Sequence, residues 1–221
     1  MVSIEIWGDY ACFSRPEMKT ERVSYDVITP SAARGILEAI YWHPGITWNI
    51  SDIKVCSPIM FSNIRRNEVK SKISKPSLDV LVASEADPSS LYLSSSSART
   101  QRNSLVLKNV RYVIDAYFTV NGACPDRDNP GKIQDIITRR IRKGQSYHQP
   151  CLGCREFPAM FKSPSDCYVC PDSLLGEHDL GWMLYDFDYT NRNDIRPMYY
   201  RAVMKDGVIT VPARGSDEVI S

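Results

Sequence analysis

Runs that alternate with a period of two and runs that repeat every 3.6 residues follow one another in the order strand, helix, strand, strand, helix, strand. That is the order of a split βαβ, ferredoxin-like unit, and it constrains the chain more than any other feature. The first strand is VSIEIW, where Val2, Ile4 and Ile6 alternate with Ser3, Glu5 and Trp7. ERVSYDV, from 21 to 27, is a second short extended piece. The first helix is punctuated at both ends: Thr29 caps, Pro30 fits the first helical position, and His43-Pro44-Gly45 stops it. Ala33, Ile36, Leu37, Ile40 and Tyr41 share its apolar face. Tyr41 ends that face and is expected half buried, its hydroxyl reaching outward.

ITWNISDIKV predicts a strand over 46–55, and PIMFSNIRRNEVK continues as strand and turn. Residues 74–102 are Ser-rich and aperiodic and read as the far end of a hairpin excursion spanning about 60–105. SLVLKNVRYVIDAYFTV returns from it as a long strand. The second helix opens at Asn129-Pro130-Gly131, buries Ile133, Ile136, Ile137 and Ile141, and closes at Gly144. CLGCREFP after it looks extended. Beyond about Ala159, LGWMLYDFDY and MYYRAVMKDGVITV read as strands, the second with a Lys-Asp-Gly hairpin turn. The expected architecture is α+β: a ferredoxin-like, RNA-recognition-motif-like domain over 1–158 and a small C-terminal antiparallel β-sheet domain over 159–221. RNA-recognition domains use the first fold, as do many unrelated proteins, so topology alone assigns no function.

With 27 basic and 26 acidic side chains the formal net charge is +1, so any argument for nucleic acid rests on where the charges lie. The N-terminus MVSIEIWGDY lacks the basic leader and apolar run of a signal peptide, and no window approaches 18 consecutive apolar residues. Seven cysteines, an odd number without a secretory signal, point to a reducing cytosol with free thiols or a metal.

Lys132 stands in the first turn of the second helix, where the dipole repels a cation by about 0.3 to 1 kcal/mol. Lysine charge, backbone N–H groups and dipole together make an anion site there; the plainer reading is a solvated surface lysine. Arg139, Arg140, Arg142 and Lys143 form a basic stripe that fits a nucleic-acid backbone, and equally a helix end that favours cations. Arg65 and Arg66 make a basic knot with the same ambiguity. Cys151-x2-Cys154 and Cys167-x2-Cys170, 12 residues apart, have the spacing of a four-thiolate zinc site. Against zinc, a strand at CLGCREFP would turn Cys151 and Cys154 to opposite faces. His43, His148 and His178 sit in no triad or HExxH pattern, and no glycine loop resembles a nucleotide cradle.

Four stretches, WGDYACFSRPEMKTERVSYDVITPSAARGILEAIYW, RRNEV, GQSYHQPCLGCREFPA and AVMKDGVI, resemble the Cas-five family of type I-C CRISPR systems, over residues 4 to 211. The resemblance implies a metal-independent endoribonuclease, without cofactor, that cuts CRISPR precursor RNA within each repeat and then holds the 5′ handle of the crRNA. It implies partnership with the backbone subunit (Cas-seven) and large subunit (Cas-eight) of a cytoplasmic surveillance complex. It assigns the catalytic tyrosine to Tyr41 and the lysine of a GKH sequence to Lys132, and it puts Ile133 where the histidine belongs. His43 then becomes a candidate entering the site from the other wall. The alternative is a subunit that binds crRNA without cutting it, its catalysis lost with that histidine. The resemblance carries no structural zinc, which leaves the four cysteines as ordinary thiols; a zinc-ribbon nucleic-acid binder is the third reading.

Overall fold

The 22 residues Arg99–Val120 form one continuous strand that the rest of the molecule is built around. A computed structural model describes residues 1–18, 20–70, 75–84, 99–124, 129–165, 168–191 and 193–221. Its elements are β1 (Val2–Ala11), β2 (Arg22–Val23), α1 (Pro30–Ile40), β3 (Ile46–Val55), β4 (Phe61–Val69), α2 (Lys75–Ser84), β5 (Arg99–Val120), α3 (Pro130–Lys143), β6 (Met160–Lys162), β7 (Glu177–Asp188), β8 (Arg196–Lys205), β9 (Val208–Thr210) and β10 (Val219–Ile220). The fold is a mostly antiparallel sheet with a few helices. None of the described helices is long and apolar enough to cross a membrane.

The C-terminal half of β5 lies between β1 and β3, with Ile114 opposite both Ile4 and Ile53. β6 adds to the other side of β1, so these four strands run in the order β6-β1-β5-β3. Ile4, Ile6, Ile53 and Ile114 are fully buried on one face. Against them pack Ala33, Ile36, Leu37 and Ile40 of α1 and Ile133, Ile137 and Ile141 of α3. Each such isoleucine or leucine contributes roughly 1.5–3 kcal/mol on burial. Side chains on the opposite face of β1 are Ser3, Glu5 and Trp7, as the period of two requires.

The N-terminal half of β5 runs on past the end of β1 and pairs with β4, from Phe61↔Leu107 to Val69↔Arg99, as a ribbon that β2 joins in parallel at Ser104 and Leu105. The expected hairpin excursion thus has regular arms. Within the stretch expected to be aperiodic, Lys75–Ser84 is helical. Its apolar residues make no single stripe: Leu78, Val80 and Val82 are all exposed, so there was no amphipathic period to read. The Ser-rich segment 85–98 lies outside the described residues.

CLGCREFP is a turn rather than a strand. Leu152 N–H donates to the Phe157 carbonyl at 2.8 Å, Phe157 N–H to the Cys154 carbonyl at 3.0 Å, and Cys151 bridges Pro158. Gly153, at φ +84°, supplies the left-handed conformation that breaks the extended run. β7 and β8 form a long hairpin, and β9 pairs with both β8 and β3, so the C-terminal strands extend the same sheet. The Lys-Asp-Gly turn forms as expected, with Asp206 and Gly207 at φ 49° and 74°.

Arg34 ties α1 to this hairpin, donating to Glu38 at 2.6 Å and to buried Asp186 at 2.8 Å. Arg34→Ala is expected to cost about 2 kcal/mol. That is less than a fully orphaned buried charge costs, because Arg214 remains 3.8 Å from Asp186; urea unfolding checks it.

Candidate active site and nucleic-acid interface

The ends of two helices carry the expected catalytic residues. At the start of α3, Asn129 is the N-cap: its side chain accepts from Lys132 N–H at 3.1 Å and its carbonyl from Ile133 N–H at 3.0 Å. Pro130 has no N–H, the Asn129 side chain takes that of Lys132, and that of Ile133 closes the first helical bond, so the first-turn amides on which the expected anion site relied are largely used. Lys132 is exposed, with its charge on the positive end of the helix. Ile133, the next residue, is 2% exposed and belongs to the buried isoleucine face. A side chain at that position points into the core.

Tyr41 is the C-cap of α1, its N–H on the Leu37 carbonyl at 2.8 Å. It is 7% exposed, hence buried rather than half buried. The reason is Arg140, whose guanidinium lies over the Tyr41 ring at 5.3 Å and donates to the Ile40 carbonyl at 2.5 Å. A cation there meets the negative end of α1 and a terminal carbonyl at once. Arg140 is thus not part of the outward stripe; it turns back across α1. Lys132 stands eight residues earlier, about 12 Å along the axis of α3.

The His43 ring lies parallel to that of Tyr41, with 6.3 Å between centroids. Its Nδ1 accepts from Gly45 N–H at 3.0 Å, which puts the proton of the neutral ring on Nε2. A second histidine reaches the same helix end. Tyr147 and His148 N–H both donate to the Ala39 carbonyl, at 2.9 and 3.2 Å, so the loop after α3 sets His148 beside the last turn of α1. The sequence reading passed His148 over because its closeness to α1 depends on how α3 packs. A cleft of about 960 Å³ runs along α1 past Ser31, Gly35 and Ala39 to His148, walled by Phe13 and Arg155. The small α1 residues leave room for an extended ligand.

The ribbon separates Arg65 from Arg66. Arg66 faces the body of the protein, paired with Glu156 and donating to Ser104 at 3.1 Å. Arg65 is exposed on the other face, beside Asn63, Asn67, Gln101 and Asn103. That outward face offers guanidinium and amide groups without a carboxylate among them. On α3, Arg139, Arg142 and Lys143 are exposed and form the remaining stripe.

Cys154 packs at the end of β1, its sulfur 3.4 Å from the Arg22 guanidinium and 3.8 Å from the Cys12 carbonyl. A hydrogen bond from Cys12, then Arg22, brings the Cys154 thiol down to about 6; the same bond and burial push Cys12 up. Cys170 lies elsewhere, beside Tyr168 and Gly207 beyond the end of β3. Cys167 is outside the described residues. Among the described residues no group of three or more His, Cys, Asp or Glu side chains is placed to hold a metal.

Residues 1–212 match the family described as CRISPR-associated protein (Cas_Cas5). A protein of Mannheimia succiniciproducens named CRISPR pre-crRNA endoribonuclease Cas5d is 47% identical over 222 residues, covering 99% of this chain and 97% of that one. A protein of the same name from Thermus thermophilus is 38% identical over 236 residues, covering 99% and 94%. A solved CRISPR-associated protein superposes with a TM-score of 0.70 at 25% identity, covering 100% and 96%. The Streptococcus mutans protein SMU1763c, described as functionally uncharacterized, has the same fold, with a TM-score of 0.69 at 23% identity. The chain belongs to the Cas5 family of CRISPR-associated proteins, in its type I-C branch.

Proposed function

We propose that the chain is a metal-independent endoribonuclease that cuts CRISPR precursor RNA within the repeat and then holds the 5′ handle of the crRNA. It does so in the cytoplasm, within the type I-C surveillance complex, beside Cas-seven and Cas-eight. The reading is carried by full-length likeness to two relatives named pre-crRNA endoribonucleases, in a chain that sets Arg140 and His43 beside the Tyr41 ring. The strand order β6-β1-β5-β3 supports a ferredoxin-like, RNA-recognition-like domain followed by a C-terminal β-sheet domain; its fourth strand, β6, falls at Met160–Lys162, just past the expected division into 1–158 and 159–221.

In the proposed reaction the 2′-oxygen attacks phosphorus as the bond to the 5′-oxygen breaks. The 2′-hydroxyl proton passes to a base, and the leaving oxygen takes a proton from an acid. The products are a 2′,3′-cyclic phosphate and a 5′-hydroxyl. Lys132 supplies positive charge to the phosphorane. Tyr41 orients the 2′-hydroxyl through its phenol oxygen. His43, neutral while its Nδ1 accepts from Gly45, donates a hydrogen bond from Nε2 toward the leaving oxygen and becomes an acid only when that contact opens and Nδ1 takes a proton; His148 is the second histidine at that helix end. RNA is held by Arg65 on the ribbon and by Arg139 and Lys143 on α3, with Arg140 serving Tyr41 instead.

The alternative, a subunit that binds crRNA without cutting it, is favoured by one observation: Ile133 is buried in the core. Incubating a labelled cognate repeat with the full chain in excess EDTA separates the two. A single cut ending in a cyclic phosphate is expected; tight binding of intact RNA would establish the alternative. Arg65→Ala is expected to weaken RNA binding and to lower the slope of log K against log salt by about 1. Arg66→Ala should instead act on stability, taking a donor from Ser104 and leaving Glu156 only Arg22 at 4.0 Å, and a paired salt titration and thermal melt distinguishes these effects.

A further inference from the structure

The sheet face turned away from α1 and α3 carries a second polar arrangement, which the Tyr41 site does not use. Across the strands, Glu5 of β1 stands between Val113 of β5 and Lys162 of β6, and in the next row Trp7 stands between Arg111 and Met160. Glu5 is 2% exposed although it lies on the helix-free face. Arg111 covers one of its oxygens, with Nε 2.7 Å and Nη2 2.5 Å from Oε1. Lys162 Nζ is 3.6 Å from Oε2, too far for a hydrogen bond, and that buried oxygen has no hydrogen-bond partner among the described residues. The same ammonium lies 5.6 Å from the centre of the Trp7 ring.

Above these groups opens a depression of about 540 Å³, lined by Glu5, Trp7, Asp9, Asn109, Arg111 and Lys162. Its volume suits one small planar ligand. Leaving one oxygen of a buried carboxylate unsatisfied is costly, and a purely structural ion pair gains by closing over both. Here one oxygen is closed and the other is kept for a donor. The arrangement combines an indole face, a carboxylate acceptor and two half-exposed cations, which are the groups that recognise an unpaired nucleotide.

We propose that this depression binds one unpaired nucleotide of the RNA, an inference that rests on the RNA-binding function proposed above. The base lies against Trp7, and its exocyclic amino group donates to Glu5 Oε2. Lys162 moves from the carboxylate to the phosphate, which Arg111 also faces. Adenine, cytosine and guanine carry such an amino group. Uracil presents carbonyl oxygens at those positions, acceptor against acceptor, and has only its ring N3–H to offer the carboxylate, so the site prefers the amino-bearing bases to uridine.

The test is a titration of the full chain with AMP, CMP, GMP and UMP, following the tryptophan emission that is lost in Trp7→Leu. The three amino-bearing nucleotides are expected to quench it at concentrations at least about tenfold below UMP. Repeat-RNA affinity is expected to fall about 5- to 100-fold in Trp7→Leu, and to fall also in Lys162→Ala. Trp182→Leu, on the C-terminal hairpin, is the control and should bind as wild type. Lys162 is exposed and Trp7 half-buried, and thermal melts of both variants show that they fold even where Glu5→Gln does not. Absence of quenching, or equal quenching by UMP, overturns the site. Equal RNA binding by wild type, Trp7→Leu and Lys162→Ala overturns it too, while leaving the endoribonuclease reading intact. A wild-type chain that binds no repeat RNA overturns that reading instead, and the mononucleotide titration then decides the site by itself.

Discussion

Replacing Lys132 by alanine is expected to slow cleavage of a cognate repeat RNA about 10²- to 10³-fold, the effect of removing one preorganised charge from a developing phosphorane. Affinity should change far less, because Lys132 is one cation among several and each phosphate contact contributes a modest, salt-dependent share. The ammonium works beside the α3 N-terminus, whose partial positive charge adds to its field. Tyr41→Phe keeps the ring that Arg140 covers and removes only the hydroxyl, and a thermal melt of the variant separates chemistry from folding. His43→Ala and His148→Ala then identify the proton carrier: the histidine that acts should cost about 10²- to 10⁴-fold, and the other little. Single-turnover rates at saturating protein separate these effects from binding. Wild-type rates for Lys132→Ala and Tyr41→Phe would remove the proposed site altogether.

Gly153→Ala is expected to be the most damaging conservative change for the fold. A Cβ on this residue would lie 2.0 Å from the Cys12 carbonyl oxygen and 2.7 Å from its carbon. Both are backbone atoms, so no rotamer change relieves the clash. The residue also sits at φ +84°, a conformation that costs any L side chain. Cys12 N–H donates to the Leu152 carbonyl at 3.0 Å, so moving the turn away from β1 breaks the contact that docks it. A loss of about 3 kcal/mol or more is expected. For a chain of this size that lowers Tm by about 6–12 °C, measurable by thermal melting. The change should also distort the cleft along α1, since Gly153 and His148 both line it. A melting temperature within about 2 °C of wild type would show that the turn is not docked as described.

Helix limits were legible because their causes are local. Thr29 caps by bonding Ala32 three residues on, Pro30 pre-sets its own φ, and Gly144 adopts the left-handed conformation that ends α3. The isoleucine face of α3 and the alternation of β1 follow from period alone, as does the hydrophobic place of Ile133. α2 escaped because its apolar residues face water and left no period. The turn at 151–158 escaped because the one glycine that breaks it lies in an otherwise strand-like run.

The sequence by itself therefore determined most helices and strands, α2 and the 151–158 turn apart, the apolar face of α1, α3 and β1, and the candidates Tyr41, Lys132 and His43 but not His148. Only the tertiary structure decided who meets whom. Arg140 crosses to Tyr41, 99 positions away in the chain, and Arg111 closes on Glu5 across 106. β9 finds β3, and His148 arrives beside α1. An exposed arginine and one laid over a tyrosine ring have the same local sequence requirements. What separates them is the packing of α1 against α3 and of both against one face of the sheet, and no short window of sequence contains that.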